Sequence, residues 1–399
     1  MSRRARRLGV VAFVLCVLIG CPRVTPVPGA AAQPATHAHI PAYAYFYQWY
    51  TPSSWRRAKI DYPLIGRYSS DDPQVLREQV AEAQGAGLDG FLTSWKSTLK
   101  LNSRLTMLLR VARPRHFDVG VVYEGLDFQR HPLPISVVRS DLTTLVTRWG
   151  KALRSRYFHK PVVIWTGMDQ FSVADVRSVR RALGDHALLL ASAKNVAEYH
   201  RVSSLVDGDA YYWSSENPGT TYTRDRLAAI SRTVHAHDGI WIAPATAGFD
   251  GHPLGHSRVI PRDGGRTLIR SLGDAFASSP QAVGVISWNE WSENTYIEPG
   301  QRYGTQELDA LRAHLQPLRG RATAVPATVA PTARVNTAAP TRSAAIAADS
   351  SGWTGLRAGL VLVLGSGVGA GLLTLRVYTR RPSLRRRHSP PRHIRRVRL

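Results

Sequence analysis

The chain has 399 residues, 44% of them hydrophobic, enough to bury a full-sized core, most simply as one large domain with appendages. Its formal net charge of +24 sits mainly at the ends: residues 334–399 hold thirteen Arg against one Asp, residues 1–36 hold five more Arg, and the body between is left at about +7. The charge therefore does not mark a nucleic-acid groove. Both cysteines, Cys16 and Cys21, lie near the N-terminus, so the body has no disulfide, thiolate metal site or cysteine nucleophile.

Residues 1–36 have the pattern of a secretory signal: a basic head with Arg3, Arg4, Arg6 and Arg7, a short apolar run, then small residues. Ordinary cleavage near Ala32 is favoured. The stretch ending in Cys21 also resembles a lipoprotein box, and the paired Arg3 and Arg4 leave a twin-arginine route open. Residues 37–318 form the body.

Eight strand-like runs fall at 42–47, 88–94, 117–123, 161–166, 187–192, 209–213, 240–244 and 283–288, most of them separated by amphipathic helical stretches. Strands alternating with helices imply parallel pairing through right-handed crossovers, and eight such units in this length suit a (β/α)8 TIM barrel of the α/β class. A doubly wound open sheet is the runner-up, but no Gly-x-Gly-x-x-Gly or phosphate loop supports it.

The first run is unusually aromatic. Alternation puts Tyr43, Tyr45 and Tyr47 on one face and Phe46 and Gln48 on the other, and its end, through Tyr47, Gln48, Trp49 and Tyr50, opens onto the catalytic rim. Asp72 and Pro73 form a helix start over 73–84. Run two ends in Trp95 and Lys96, with Trp95 a candidate sugar platform. Run three ends in Glu124, either an acceptor for a substrate hydroxyl or one half of a structural ion pair. A helix is expected over 136–154, with Trp149 on its apolar stripe. Trp165 closes run four near the rim, and Tyr212 or Trp213 should reach the pocket from run six. After run seven, Asp250 is a polar candidate. His252 and His256 are spaced four apart, but Pro253 and Gly255 argue against a zinc-binding helix, and neither a metal nor a cofactor is expected. A helix over 266–278 leads into the last strand.

That strand runs into Trp288, Asn289, Glu290, Trp291 and Glu293, with Tyr296 and Glu298 close behind. Carboxylates among indoles at the end of a buried strand are costly unless a ligand or hydrogen bonds meet them. Aromatic faces hold sugar C–H surfaces and carboxylates move protons, so the combination suits a glycan site. In a continuing strand Glu290 and Glu293 would face opposite ways. Both reach one pocket only if the strand ends and the chain turns.

Beyond the body, residues 319–352 are rich in Ala, Thr, Pro and Ser and read as a stalk. Residues 356–375 hold an apolar, Gly-rich run of just the length that spans a bilayer, and the Arg-dense tail at 376–399 stays cytoplasmic by the positive-inside rule. The expectation is a domain exported by a bacterium, monomeric, tethered to the outer face of the cell membrane, with no nucleic-acid partner.

The motif from Trp288 to Glu298 resembles the Asn-Glu-Trp-His-Glu-Gly-Thr-Gln-Ile-Glu signature of glycoside hydrolase family 99, the endo-α-mannosidases and endo-α-1,2-mannanases. The aromatic first strand, Tyr68 to Pro73, the ends of runs two, three and six, and the segment through Asp250 resemble the family in the same order, so the likeness covers roughly residues 42–298. It implies a retaining, endo-acting hydrolase of a mannan-like glycan, working through a 1,2-anhydro sugar. Glu290 would be the base at the sugar 2-hydroxyl and Glu293 the acid and then base. Tyr47, Trp49, Trp95, Glu124, Tyr212, Trp213, Asp250, Trp288, Asn289, Trp291, Tyr296 and Glu298 would contact substrate. Ser292, Asn294 and Tyr296 replace the family's His, Gly and Gln, Phe249 replaces a tyrosine, and Lys96 stands where the family commonly has tryptophan. A glycan-binding protein without turnover and a hydrolase of another envelope glycan remain the alternatives.

Overall fold

Alternation along the first strand, β1 (Ala42–Phe46), sorts the protein into two layers. Tyr43, Tyr45 and the following Tyr47 join one buried cluster, while Ala42, Ala44 and Phe46 join another. The computed structural model describes residues 39–57 and 59–318. The other strands are β2 (Gly90–Trp95), β3 (Asp118–Glu124), β4 (Val162–Thr166), β5 (Leu188–Ala191), β6 (Gly208–Ala210), β7 (Ile240–Thr246), the short pair β8 (Phe249–Asp250) and β9 (Val259–Ile260), and β10 (Ala282–Ile286). Among the described residues, eight strands close a parallel barrel in the order β1-β10-β7-β6-β5-β4-β3-β2, and β8 and β9 form a separate antiparallel pair. Each strand-like run read from the sequence coincides with a barrel strand. The sixth is shorter than expected, since Tyr211, Tyr212 and Trp213 lie past its end.

The inner cluster fills the barrel with Tyr43, Tyr45, Leu92, Val122, Ile164, Leu190, Ile242 and Ile286. Room for the Tyr45 ring comes from the neighbouring strand β10: a Cβ at Gly284 would stand 2.9 Å from Tyr45 Cε2. The outer cluster lies between the strands and the helices, where Phe91, Val121, Val163, Leu189 and Val285 meet Leu76, Leu105, Leu142, Val179 and Leu272. Those last five belong to α1 (Pro73–Gly85), α2 (Leu99–Ala112), α3 (Ile135–Trp149), α4 (Val173–Leu183) and α7 (Arg266–Ala277). The remaining helices are α5 (Val196–His200), α6 (Thr221–His235) and α8 (Gln306–Leu318).

Local chemistry explains the helix ends. Asp72 caps α1 by accepting from the Gln74 N–H at 2.8 Å, with Pro73 in the first turn. Helix α3 stops at Trp149, short of the expected 154, because Gly150 follows and the chain folds back to bury Leu153. Trp149 itself is buried, packed on Trp95. The signal segment, stalk, span and tail expected at residues 1–36, 319–352, 356–375 and 376–399 lie outside the described residues. Among the described residues no helix is long and apolar enough to cross a membrane.

Candidate active site

Strand β10 stops at Ile286, and the Ile286–Ser287 peptide is cis. The following loop turns back on itself: Ser287 N–H donates to the Thr295 carbonyl at 3.0 Å, and Glu298 N–H to the Trp288 carbonyl at 2.9 Å. Asn294 supplies a left-handed residue (φ 57°) in the turn, a conformation that Asn tolerates better than most residues. The turn places Glu290 and Glu293 on one wall of a cavity of about 350 Å³ at the C-terminal end of the barrel, beside Trp49, Ser94, Glu124 and Leu126. Ligand sites of barrel enzymes occupy this end.

Both carboxylates are buried, Glu290 to 3% exposure and Glu293 to 2%. Burial pushes the Glu290 carboxyl up to about 7, opposed by the Ser292 N–H, which donates at 2.9 Å, and by the nearby Lys59 ammonium. Ser287 Oγ accepts from the Glu290 N–H at 2.7 Å and fixes the backbone there. The Glu293 carbonyl accepts from the Asp250 N–H at 2.9 Å, tying the loop to β8. Tyr47 and Tyr212 donate and accept between their hydroxyls at 2.9 Å, and both rings feel the negative charge of Glu290 and Glu293. Trp49, partly exposed, stacks on Tyr47 at 4.4 Å between centroids and lines the cavity. Glu124 accepts from Ser94 Oγ at 2.9 Å and Thr166 Oγ1 at 3.0 Å; burial raises its carboxyl, and these bonds oppose the rise. No ion pair holds it within contact distance among the described residues.

The structure thus lines the cavity with Glu290, Glu293, Trp49 and Glu124, and sets Tyr47 and Tyr212 in a smaller adjoining hollow that Glu124 shares. It moves the other expected contacts away from the cavity wall. Trp95 is turned outward to Tyr123 and Trp149, with its Nε1 donating to Asn102 Oδ1 at 3.0 Å. Alternation from the inward Leu92 gives the cavity Ser94 instead. Trp165 and Trp213 sit on the outer parity of their segments for the same reason: Trp165 packs on Phe171, and Trp213 lies under the Arg226 guanidinium at 4.1 Å. Because β10 ends at Ile286, its alternation does not continue, and Trp288 swings into the outer layer against Phe91.

Four more are braces. Asn289 accepts from Tyr47 N–H at 2.8 Å and donates to the Tyr47 carbonyl at 3.0 Å and Tyr68 Oη at 3.1 Å. Trp291 and Tyr296 stack at 3.8 Å, and Tyr296 donates its hydroxyl to Asp61 at 2.6 Å. Glu298 accepts from Gln79, Tyr68 and Trp291 at 2.6, 2.9 and 3.0 Å, while burial still pushes its carboxyl up to about 8. All four are at most 1% exposed. Asp250 is bound to His252 Nδ1 at 2.8 Å and does not line the cavity. Among the described residues no group of three potential metal ligands is found.

Sequence reasoning missed Lys59, Ser94, Thr166 and Arg130. Lys59 comes from the irregular segment after β1 and donates to Ser292 Oγ at 3.1 Å; a loop without periodicity gives no signal of where it ends up. Ser94 and Thr166 were available from strand parity, as the residues two past Leu92 and Ile164.

No family model and no curated protein matches the chain. Solved structures do. A glycoside hydrolase family 99 endo-α-mannosidase from Bacteroides thetaiotaomicron, in complex with bis-tris propane, is 19% identical with a TM-score of 0.62, over 70% of this chain and 97% of that one. Another structure of that family's endo-α-mannosidase from the same organism gives 18% and 0.61 over 72% and 99%. A glycoside hydrolase-like protein gives 15% and 0.56 over 73% and 97%. The barrel of this chain is therefore similar in fold, over nearly their whole length, to the endo-α-mannosidases whose sequence signature its last strand resembles.

Proposed function

We propose that the chain is a glycoside hydrolase that cuts α-mannosidic linkages inside a glycan with retention of configuration. The observation that carries this reading is the convergence of Glu290 and Glu293 on one cavity wall through the turn after β10, with the Trp49 ring on the same cavity. Nearness to the endo-α-mannosidase fold supports it.

In the first step Glu290 takes the proton of the sugar 2-hydroxyl as O2 bonds to C1. The bond from C1 to the leaving oxygen breaks, and that oxygen takes the proton of Glu293. In the second step the Glu293 carboxylate takes a proton from water, whose oxygen bonds to C1. The C1–O2 bond breaks, and O2 recovers its proton from Glu290. Two inversions at C1 give retention. A base held up to about 7 is matched to a hydroxyl proton better than an ordinary carboxylate is. Two neighbouring carboxyls in one dry wall favour having only one ionised, the arrangement both steps require.

The basic N-terminal head, the apolar run at 356–375 and the Arg-dense tail support an exported barrel tethered to the outer face of the membrane. The test of the enzyme reading is to incubate the purified full-length chain with a panel of α-mannan oligosaccharides and follow released reducing ends. Cleavage with α-configured product at early times is expected. Binding without turnover by the unmodified chain would make it a glycan-binding protein instead.

A further inference from the structure

The cavity carries basic side chains that the reaction above does not use. We infer that the glycan this cavity accepts is anionic, carrying an oxyanion substituent, phosphate or carboxylate, seated against Lys96 and Arg130 on a wall that Lys59 and Arg57 also line. The inference rests on the reading that the cavity takes a glycan.

Arg104 also lines the cavity, but its Nε and a terminal nitrogen both bind Asp71 at 2.7 Å, and Lys100 stands 3.6 Å from the same carboxylate. Arg57, Lys59, Lys96 and Arg130 are different: among the described residues none of the four has a carboxylate oxygen within 4.0 Å. Lys59 gives one N–H to Ser292 Oγ at 3.1 Å, and Lys96 gives one to the Leu126 carbonyl, with the Phe128 ring 5.2 Å from its ammonium. An ammonium has three donors, so each lysine spends its protein contacts on neutral oxygens.

The four stand as two like-charged pairs. In both lysines burial is the largest cause and disfavours the charged form; Glu290 near Lys59, and Glu124 and Asp127 near Lys96, oppose it, while Arg57 and Arg130 add to it. Lys59 and Lys96 are half-buried and Arg57 and Arg130 exposed, and like charges grouped in this way are less favourable alone than around an anion. If these cations served only to balance Glu124 and Glu290, they would be expected in contact with the carboxylate oxygens. Instead they lie near enough to lower both carboxyls without pairing, and the cavity lining holds six basic side chains against the four acidic ones Glu124, Asp127, Glu290 and Glu293. Arg130 and Arg57 add the planar donors that bind phosphate or carboxylate at two points.

The experiment uses the full-length chain and three oligosaccharides with one α-mannan backbone: neutral, phosphorylated and carboxylated. Their kcat/KM values are measured, and their Kd values follow from calorimetry at two salt concentrations. A preference of at least tenfold for a charged glycan is expected, weakening with salt, and the better charged arm identifies the substituent. In Lys96→Met and Arg130→Gln the charged-to-neutral ratio should fall severalfold, and Lys96→Arg should restore it; thermal melts check that each variant is folded. Equal kcat/KM and Kd for neutral and charged glycans would overturn the inference while leaving the hydrolase reading intact. If nothing is cleaved, a charge-dependent Kd lost in Lys96→Met would uphold the inference and remove the hydrolase reading.

Discussion

Glu290 is placed where its two demands conflict. The fold excludes water from it, which favours the protonated form, while the proposed chemistry needs the ionised form. The reaction should therefore have an acidic limb: kcat/KM falls as pH drops below about 7. Lys59 favours the ionised form, so Lys59→Met should move that limb to higher pH, which a pH–rate profile of the two proteins reads directly. Loss of activity at one pH with the limb unmoved would make Lys59 a packing residue. Glu290→Gln and Glu293→Gln should each lower turnover by about 10²–10⁴-fold, the usual worth of a placed proton-transfer group, with the fold retained. Full activity in either variant would remove it from the mechanism. Stability should respond with the opposite sign to activity. A carboxyl whose folded value is raised gives its full stability below about 4.5, and that stability is lost as pH rises through about 7. Glu290→Gln removes the loss, so its melting temperature should exceed that of the parent at pH 8 by a few degrees, the difference shrinking toward pH 4.5.

At the scale of strands, parity decides which side chains face the barrel's interior and which face the helices. Tyr47, Ser94, Glu124, Thr166 and Tyr212 each follow an inward core residue by two positions, and together they form the uppermost inner layer. Their neighbours Trp95, Trp165 and Trp213 face the helices. The tryptophans drew attention as candidates because indoles bind sugars, yet an indole on the outer parity of a strand is core. This separates two otherwise similar substitutions. Trp95→Ala should cost about 3–5 kcal/mol of stability, visible as an early thermal melt. Trp49→Ala should leave the melt nearly unchanged and raise KM. The reverse pattern would mean that the cavity has been misassigned. The eight strands were legible because each carries a short apolar run between helical stretches, and the two central carboxylates because they crowd one motif. The turn after β10 was legible only as a requirement, that both glutamates reach one pocket. How it is built was not: Asn289, Tyr296 and Glu298 clamp it against Tyr47, Tyr68, Gln79 and Asp61, partners 200 or more positions away along the chain. Local patterns carry no record of such partners, so bracing residues and substrate contacts look alike in sequence. Asn289→Ala should strip three buried hydrogen bonds and destabilise the barrel by about 2–4 kcal/mol, checked by denaturant unfolding.

For the molecule as a whole, the charge asymmetry carries the argument about where the barrel works. The ends hold most of the excess positive charge, while the barrel gathers six basic residues around one cavity, four of them without a carboxylate in contact among the described residues. A basic tail of this density resists passage across a membrane, and an apolar run just before it is long enough to stop transfer. On the proposed topology, the Pro- and Ala-rich stretch between span and barrel would give reach rather than a fixed pose. Such an arrangement would hold a glycan-directed cavity close to the anionic surface polymers and lipids of its own cell, where a cationic wall raises the local concentration of charged substrate. The proposed topology is tested by deleting residues 356–399. The truncated chain should appear in the culture medium, whereas the intact chain should stay with membranes through alkaline carbonate extraction and lose its barrel to protease added outside whole cells. An intact chain that resists external protease and appears in the soluble interior would reverse the topology, and with it the choice of cell-surface glycans as the pool from which the substrate is drawn.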